Sequence, residues 1–232
     1  MSIPKLITHA CGQINGVNYS NSKEALSYSY HSKGSKFIEV DINLSADDKY
    51  VLIHDWGKTF EYLFGYNIKN ALKAADFQKL KIQDSLTTQT LEEFLSFMQE
   101  NQDLHIVTDV KAGGNIRFLE FIKNHYPKLL ARIYIQCYDF NEYLTIKDQG
   151  AQYQILSLYQ EEKIDFSKLD EFIKANQVKH VSINKPRAMS DFILSLSKNA
   201  ITILTHTVND TEELNILLQR GVNSVFTDTL YL

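Results

Sequence analysis

The sequence predicts an α/β fold, a closed (β/α)8 TIM barrel formed as a single domain over residues 1–232. Three observations carry this prediction. Strand-like runs begin near residues 6, 37, 105, 132, 152, 178, 200 and 223, eight in all. Most are separated by one helical run, the alternation that produces parallel strands with crossover connections. Polar side chains collect at the C-terminal ends of these runs, the rim on which such barrels carry their functional groups. An open doubly wound sheet fits less well, because eight units are present and no glycine-rich phosphate loop follows a strand.

Taken in order, LITHA (6–10) is the first strand. Residues 21–32 form a helix with Asn21 or Ser22 as N-cap and Gly34 just past its end. KFIEVDINLSADDKYVLIHDW (36–56) is a pair of strands joined by the polar turn 46–49. So short a connection makes the pair antiparallel. Folding about Asp47 and Asp48 brings together positions that sum to about 95, so Asp41 faces His54. Glu39 lies two residues away on the face of Asp41. The return arm YVLIH is a hairpin extension outside the count of eight.

Residues 57–89 are a small insertion at the C-terminal rim, with one weak helix over 69–80. Its aromatics, Trp56, Phe60, Tyr62, Phe64 and Tyr66, form either a lip over the barrel mouth or a satellite core that packs a helix. Thr90 then caps LEEFLSFMQEN, with Glu93 at the capping-box position. HIVTDVK, RIYIQCY, QYQILSL, VKHVSIN, AITILTHTV and NSVFTD are the remaining strands. Helices lie between them: 116–126 stopped before Pro127, 141–150 closed by Gly150, 166–176, 190–199 capped by Ser190, and 210–221 capped by Asp210.

Composition narrows the function. With 44% hydrophobic and 22% charged residues the chain is an ordinary globular protein. A net charge of −4 without a block of like charge argues against nucleic-acid binding. No apolar run reaches the roughly 18 residues of a membrane span. The two cysteines, Cys11 and Cys137, are far apart and are expected as reduced thiols. The first residues lack a signal-peptide pattern, so a cytoplasmic location is expected.

At the predicted rim, Glu39, Asp41 and Asp109 bring three carboxylates together. Like charges in a partly dry pocket raise one another's pKa, and a hard divalent cation relieves the conflict. Oxygen ligation points to Mg2+ or Ca2+. Taken singly, each carboxylate is equally well a solvated strand end or an ion-pair partner, Asp109 with Lys111 for instance. His9 and His54 are the candidate acid and base. Singly, His54 is a strand-end histidine paired with Asp55, and His9 a core histidine bonded to backbone. Lys111 is placed to contact a phosphate oxygen. Asn184, Lys185, His206, Asn209 and Asp228 end later strands at the same rim.

The order His9, Glu39-x-Asp41, His54-Asp55, Asp109-x-Lys111 resembles the glycerophosphodiester phosphodiesterase family, in the superfamily of the phosphatidylinositol-specific phospholipases C. TLEEFL, IQCYD, THTVND and RGVNSVFTD are similar to further family motifs along nearly the whole chain. The resemblance implies that His9 and His54 are the acid/base pair and that Glu39, Asp41 and Asp109 hold the metal. Lys111, Asn21 and His206 fall at substrate-binding positions. It further implies that a neighbouring substrate hydroxyl attacks first, giving a cyclic phosphate that water opens. The expected reaction is hydrolysis of a glycerophosphodiester, a small molecule or a lipid headgroup, to an alcohol and a phosphomonoester, with peripheral membrane contact in the lipid case.

Departures from the family pattern concern substrate reading. The arginine of its His-Arg-Gly opening is absent, since Ala10 and Cys11 follow His9. Its Glu-Asn-Thr is Ser20-Asn21-Ser22, and the tryptophan before Thr-Val-Asn is His206. Asp109-Val-Lys111-Ala-Gly113 looks more like the sphingomyelinase D enzymes. A sphingomyelinase D-like or cell-envelope polymer phosphodiesterase therefore stands as an alternative, and a catalytically silent binding module of the same fold as another.

Overall fold

A computed structural model describes residues 3–111, 113–159 and 164–231; Ala112, inside the Asp109–Gly113 motif, lies outside the described residues. The strands are β1 (Leu6–Thr8), β2 (Phe37–Leu44), β3 (Tyr50–Leu52), β4 (Lys81–Ile82), β5 (Leu86–Thr87), β6 (His105–Val110), β7 (Ile133–Cys137), β8 (Tyr153–Ser157), β9 (His180–Asn184), β10 (Thr202–His206) and β11 (Ser224–Thr227). Eight of them, β1, β2 and β6 to β11, pair in parallel with their neighbours. The ring closes where β1 meets β11 on one edge and β2 on the other. This is a (β/α)8 TIM barrel, as the alternation predicts.

β3 lies outside the ring. Ile42 pairs with Val110 of β6 on one edge and with Leu52 of β3 on the other. β3 thus takes the β2 edge that β1 leaves after Thr8, and the hairpin rises above the rim. Its paired positions sum to 94, with Leu44 opposite Tyr50. His54 comes two residues after the last paired residue.

Side chains alternate across each strand. Ile38, Val40, Ile106, Ile135, Val181 and Ile203 face outward and pack in the layer between barrel and helices. The inward face carries Ile7, Phe37, Val107, Tyr134, Ile155, Leu204 and Phe226, which together fill the barrel. That interior layer supports the site above it.

The helices in chain order are α1 (Lys23–Ser27), α2 (Lys58–Phe64), α3 (Ala74–Phe77), α4 (Leu91–Glu100), α5 (Asn115–His125), α6 (Phe140–Asp148), α7 (Phe166–Asn176), α8 (Lys185–Ala188), α9 (Phe192–Leu196) and α10 (Thr211–Gln219). Ser22 caps α1 by accepting from the Ala25 N–H. Thr90 and Glu93 close the capping box of α4 reciprocally, as their spacing predicts. Asp210 caps α10. Among the described residues no helix is long and apolar enough to cross a membrane. Cys11 and Cys137 are both buried and free.

Several local expectations are corrected. The first strand stops at Thr8, and His9–Cys11 form a single 3-10 turn with Ala10 at φ 46°. The helix expected over 69–80 is reduced to α3. The insertion instead forms α2 and the β4–β5 hairpin. Composition missed α2 because its order comes from packing: Phe60, Leu63 and Phe64 stand at i, i+3 and i+4. Phe60 and Phe77 pack with Val51, Ile53, Trp56 and Phe64 in a satellite core. Trp56 Nε1 donates to the Leu44 carbonyl at 2.9 Å. These aromatics therefore fasten the insertion to the hairpin arm, while Tyr62 and Tyr66 stay exposed. Asn184 caps the unexpected helix α8, whose first residue is Lys185, and α9 begins only at Phe192.

Candidate active site

Two residues beyond each interior side chain, the same face reaches the C-terminal rim. Ile7 leads to His9, Phe37 to Glu39, Val107 to Asp109, Tyr134 to Gln136, Leu204 to His206, and Phe226 to Asp228. An apolar layer is thus followed by a polar one on six strands. All but Asp228 line one cleft of about 1100 Å³, together with Asp41, His54 and Lys111.

His9 is buried, and its Nδ1 lies 2.8 Å from Asp228 Oδ1. Its Nε2 lies 4.0 Å from Glu39 Oε2. Burial alone would lower its pKa. The hydrogen bond to Asp228 and the charges of Glu39, Asp228 and Asp41 outweigh burial and raise it to about 9. Asp228 is held in turn by Asn209, whose Nδ2 donates to Asp228 Oδ2 and whose Oδ1 accepts from the Asp228 N–H, both at 2.7 Å. The THTVND and FTD stretches meet here, as the support of His9.

Register sets Asp41 on β2 beside Asp109 on β6. Lys111 Nζ lies between them, 2.9 Å from Asp41 Oδ1 and 2.6 Å from Asp109 Oδ2. Burial works against the ammonium, but these two charges outweigh it and raise its pKa. Burial likewise opposes the Asp41 charge, yet Lys111, His54, His9 and Asn21 hold its pKa below the usual carboxylate range. Glu39 accepts from the Ala10 N–H at 2.8 Å. Burial, then the Asp41 charge, pushes Glu39 up to about 8 against the pull of His9.

Asn21 is fully buried behind Asp41 and does not line the cleft. Its Nδ2 donates to Asp41 Oδ2 at 3.0 Å, and its Oδ1 accepts from the Asp41 N–H at 3.1 Å. The structure places it as a support of Asp41 rather than on the surface a substrate would touch. His206 does reach the cleft, packed on Tyr159 and Phe226. Burial, with the nearby His9 and Lys111 charges, lowers its pKa to about 4 and keeps it neutral at pH 7.

His54 stands above Asp41 on the arm, partly exposed, with Nδ1 2.9 Å from Asp55 Oδ2. Thr59 and the Gly57 N–H also bond Asp55. Burial opposes the Asp55 charge, but hydrogen bonds from Thr59, His54 and Gly57 hold its pKa down at about 2. Sequence reasoning missed Tyr19. Its ring touches His9 edge-on at 4.7 Å and His54 at 5.7 Å between centroids. It carries no motif, and only the fold of the loop brings it between the two histidines.

Ligand atoms of Asp41, His54 and Asp109 all lie within 4.8 Å of one another, close enough for one metal ion to reach all three. Glu39 sits next to this triad, engaged with Ala10. Two of the triad's three donors are carboxylates, which suit a hard divalent cation, and Glu39, the third carboxylate expected to ligate, lies outside this group.

A family model described as the glycerophosphoryl diester phosphodiesterase family matches residues 15–231. The glycerophosphodiester phosphodiesterase from Thermotoga maritima is 20% identical over 98% of this chain and 96% of its own, with a TM-score of 0.75. An Oleispira antarctica phosphodiesterase solved with the product sn-glycerol-3-phosphate is 18% identical over 97% and 93%, with a TM-score of 0.74. A Parabacteroides distasonis glycerophosphodiester phosphodiesterase is 16% identical over 97% and 92%, with a TM-score of 0.73. At these identities the likeness establishes a shared fold. Among curated proteins none matches this chain.

Proposed function

The chain belongs to the glycerophosphoryl diester phosphodiesterase family, and on that premise we propose that it hydrolyses a glycerophosphodiester-type substrate by two-histidine acid/base catalysis supported by a divalent cation. One observation carries the proposal. Both histidines have Nδ1 on a carboxylate, His9 on Asp228 and His54 on Asp55, and both line the cleft that holds Asp41 and Asp109. An imidazole whose Nδ1–H donates to a carboxylate keeps Nε2 for the substrate.

His54, on the open side of the cleft, accepts the proton of the attacking hydroxyl as its oxygen bonds to phosphorus. His9, held protonated at neutral pH, gives a proton to the departing alkoxide as its P–O bond breaks. If the attacking group is a neighbouring substrate hydroxyl, the first product is a cyclic phosphate, and the roles reverse when water opens it. Asp41 and Asp109 would hold Mg2+ or Ca2+, with Glu39 as the third carboxylate once it turns from the Ala10 N–H, which leaves His54 free to act as the base. When bound, the cation neutralises charge that develops on the phosphoryl oxygens. Lys111 contributes a fixed positive charge at the same place, and Asn21 holds Asp41 in position by both ends of its amide.

Lipid-headgroup cleavage by the same chemistry is favoured by the exposed rings of Tyr62, Tyr66 and Tyr159, the last of which lines the cleft. The test is turnover of a phosphodiester panel, glycerophosphodiesters and lipid diesters together, by cation-stripped protein supplied with Mg2+, Ca2+ or Mn2+. Activity should require added cation and be lost in Asp41→Asn. His9→Ala and His54→Ala should each reduce turnover by about 10²–10⁴-fold, the usual contribution of a general acid or base. Wild-type turnover in His54→Ala would sink the proposal.

A further inference from the structure

On β7 the outward residues Ile133, Ile135 and Cys137 pack against the helices, whereas Tyr134 fills the barrel. Gln136 shares the inward face of Tyr134, one step nearer the rim. It is only 4% exposed and yet lines the cleft. Its backbone carbonyl accepts from Asn115 Nδ2 at 2.7 Å. Its side-chain amide makes no hydrogen bond to any described residue. Polar side chains this deeply placed are nearly always paired within the protein, so an amide without such a partner, turned to the cleft, offers two donors and an acceptor to whatever enters.

The surroundings restrict the ligand. The Thr108–Ile135 pairing of β6 with β7 sets Gln136 beside Asp109 at the next position. Tyr134 closes the barrel beneath it, and Tyr138, two residues on, lines the same cleft. A phosphoryl oxygen only accepts, so it would leave Gln136 Oε1 unmet next to the carboxylate of Asp109. An ammonium only donates, so it would leave both Nε2 hydrogens unmet. A hydroxyl does both and satisfies the amide from either end.

We propose that Gln136 is the residue that reads a hydroxyl on the polyol arm of the diester, at the floor of the cleft and one strand beyond the metal-binding carboxylates. The assignment rests on the phosphodiesterase function proposed above. It assigns the deep end of the cleft to the polyol and the open end, near Tyr159, to the other ester arm.

The test is calorimetric binding of two phosphomonoesters of equal length, sn-glycerol 3-phosphate and propyl phosphate, which lacks the hydroxyls. Wild-type protein should bind the glycerol ester about tenfold or more tighter, because the alkyl ester displaces water from the amide and returns no hydrogen bond. Gln136→Met keeps the side-chain length and should weaken glycerol 3-phosphate by about the same factor while leaving propyl phosphate unchanged. Equal wild-type affinity for the two esters would overturn the assignment, and this arm does not depend on how well the variant folds. Parallel weakening of both ligands in Gln136→Met would overturn it as well. Diester turnover by the wild type separates the two proposals. An active wild type without hydroxyl preference overturns the role of Gln136 alone, and an inactive wild type overturns both.

Discussion

Asp228 lies 219 positions from His9 in sequence, and its substitution by Asn tests the acid/base reading most directly. Asp228→Asn preserves size and one acceptor but removes the charge. It also spoils a shared arrangement, because Asp228 uses one oxygen for His9 and the other for Asn209 Nδ2. An amide has one oxygen, so one of these partners would face a second donor. His9 and Asp228 are 8% and 3% exposed, so solvent screens the pair little. A hydrogen bond to a charged group contributes about 1.5–3 kcal/mol. At 1.36 kcal/mol per unit this is a fall of about one to two pK units for His9.

The sign follows from the direction of the shift. The folded-state pKa of His9, about 9, lies above its ordinary value of 6.5. Its contribution to stability is therefore fully present below pH 6.5 and is lost as the pH rises through about 9. In Asp228→Asn that window narrows from its upper end. The alkaline limb of the rate profile should move down by about one to two units, and kcat/KM at neutral pH should fall by about 10–100-fold. The assay is diester turnover from about pH 5 to about pH 10, with thermal melts near both ends of the window. An Asp228→Asn protein with the wild-type alkaline limb and rate would refute the claim that Asp228 maintains the proton on His9.

Two further outcomes follow from the packing. Lys111→Met removes the ammonium between Asp41 and Asp109; breaking such a buried pair costs about 3–5 kcal/mol, less where water reaches it as it does at Lys111. The melting temperature in chelator should fall, and Mg2+ or Ca2+ should raise it more than in wild type; an unchanged melt in chelator would contradict the geometry. Phe60→Ala empties the satellite core, where Phe60 is fully buried, at a cost of about 3–5 kcal/mol. Limited proteolysis should then cut within 57–89 while the barrel melts as before, and an uncut insertion would show that it does not depend on this core.

The barrel was legible because its signal repeats. Each unit places β-branched and apolar residues on a strand and an amphipathic pattern on the next helix, and caps such as Thr90 with Glu93 mark the boundaries. Glu39, Asp41, Asp109 and Lys111 were legible for the same reason, since a strand's period of two fixes which side chains share a face, and His9 was legible as the polar residue that follows the first strand. Phe60 and its neighbours were ambiguous because an aromatic cluster has the same composition as an exposed lip or a buried core. Tyr19 was invisible because no periodicity governs the loop that carries it.

Chain order alone therefore determined which residues reach the rim: local propensity and alternation act over a few residues and need no partner. Pairing between distant segments decided what those residues do there. Asp228 became the anchor of His9 only when β11 closed against β1. Asn21, which motif position assigned to substrate, was drawn behind Asp41 because its amide meets both the carboxylate and the N–H of that residue. Gln136 was left with an open amide because its partner on β8 is the apolar Ile155 and the carboxylate of Asp109 on β6 is engaged by Lys111. Hydrogen bonds act over about 3 Å, and the contacts that set these roles join residues far apart in the chain, so only the closed barrel could select them.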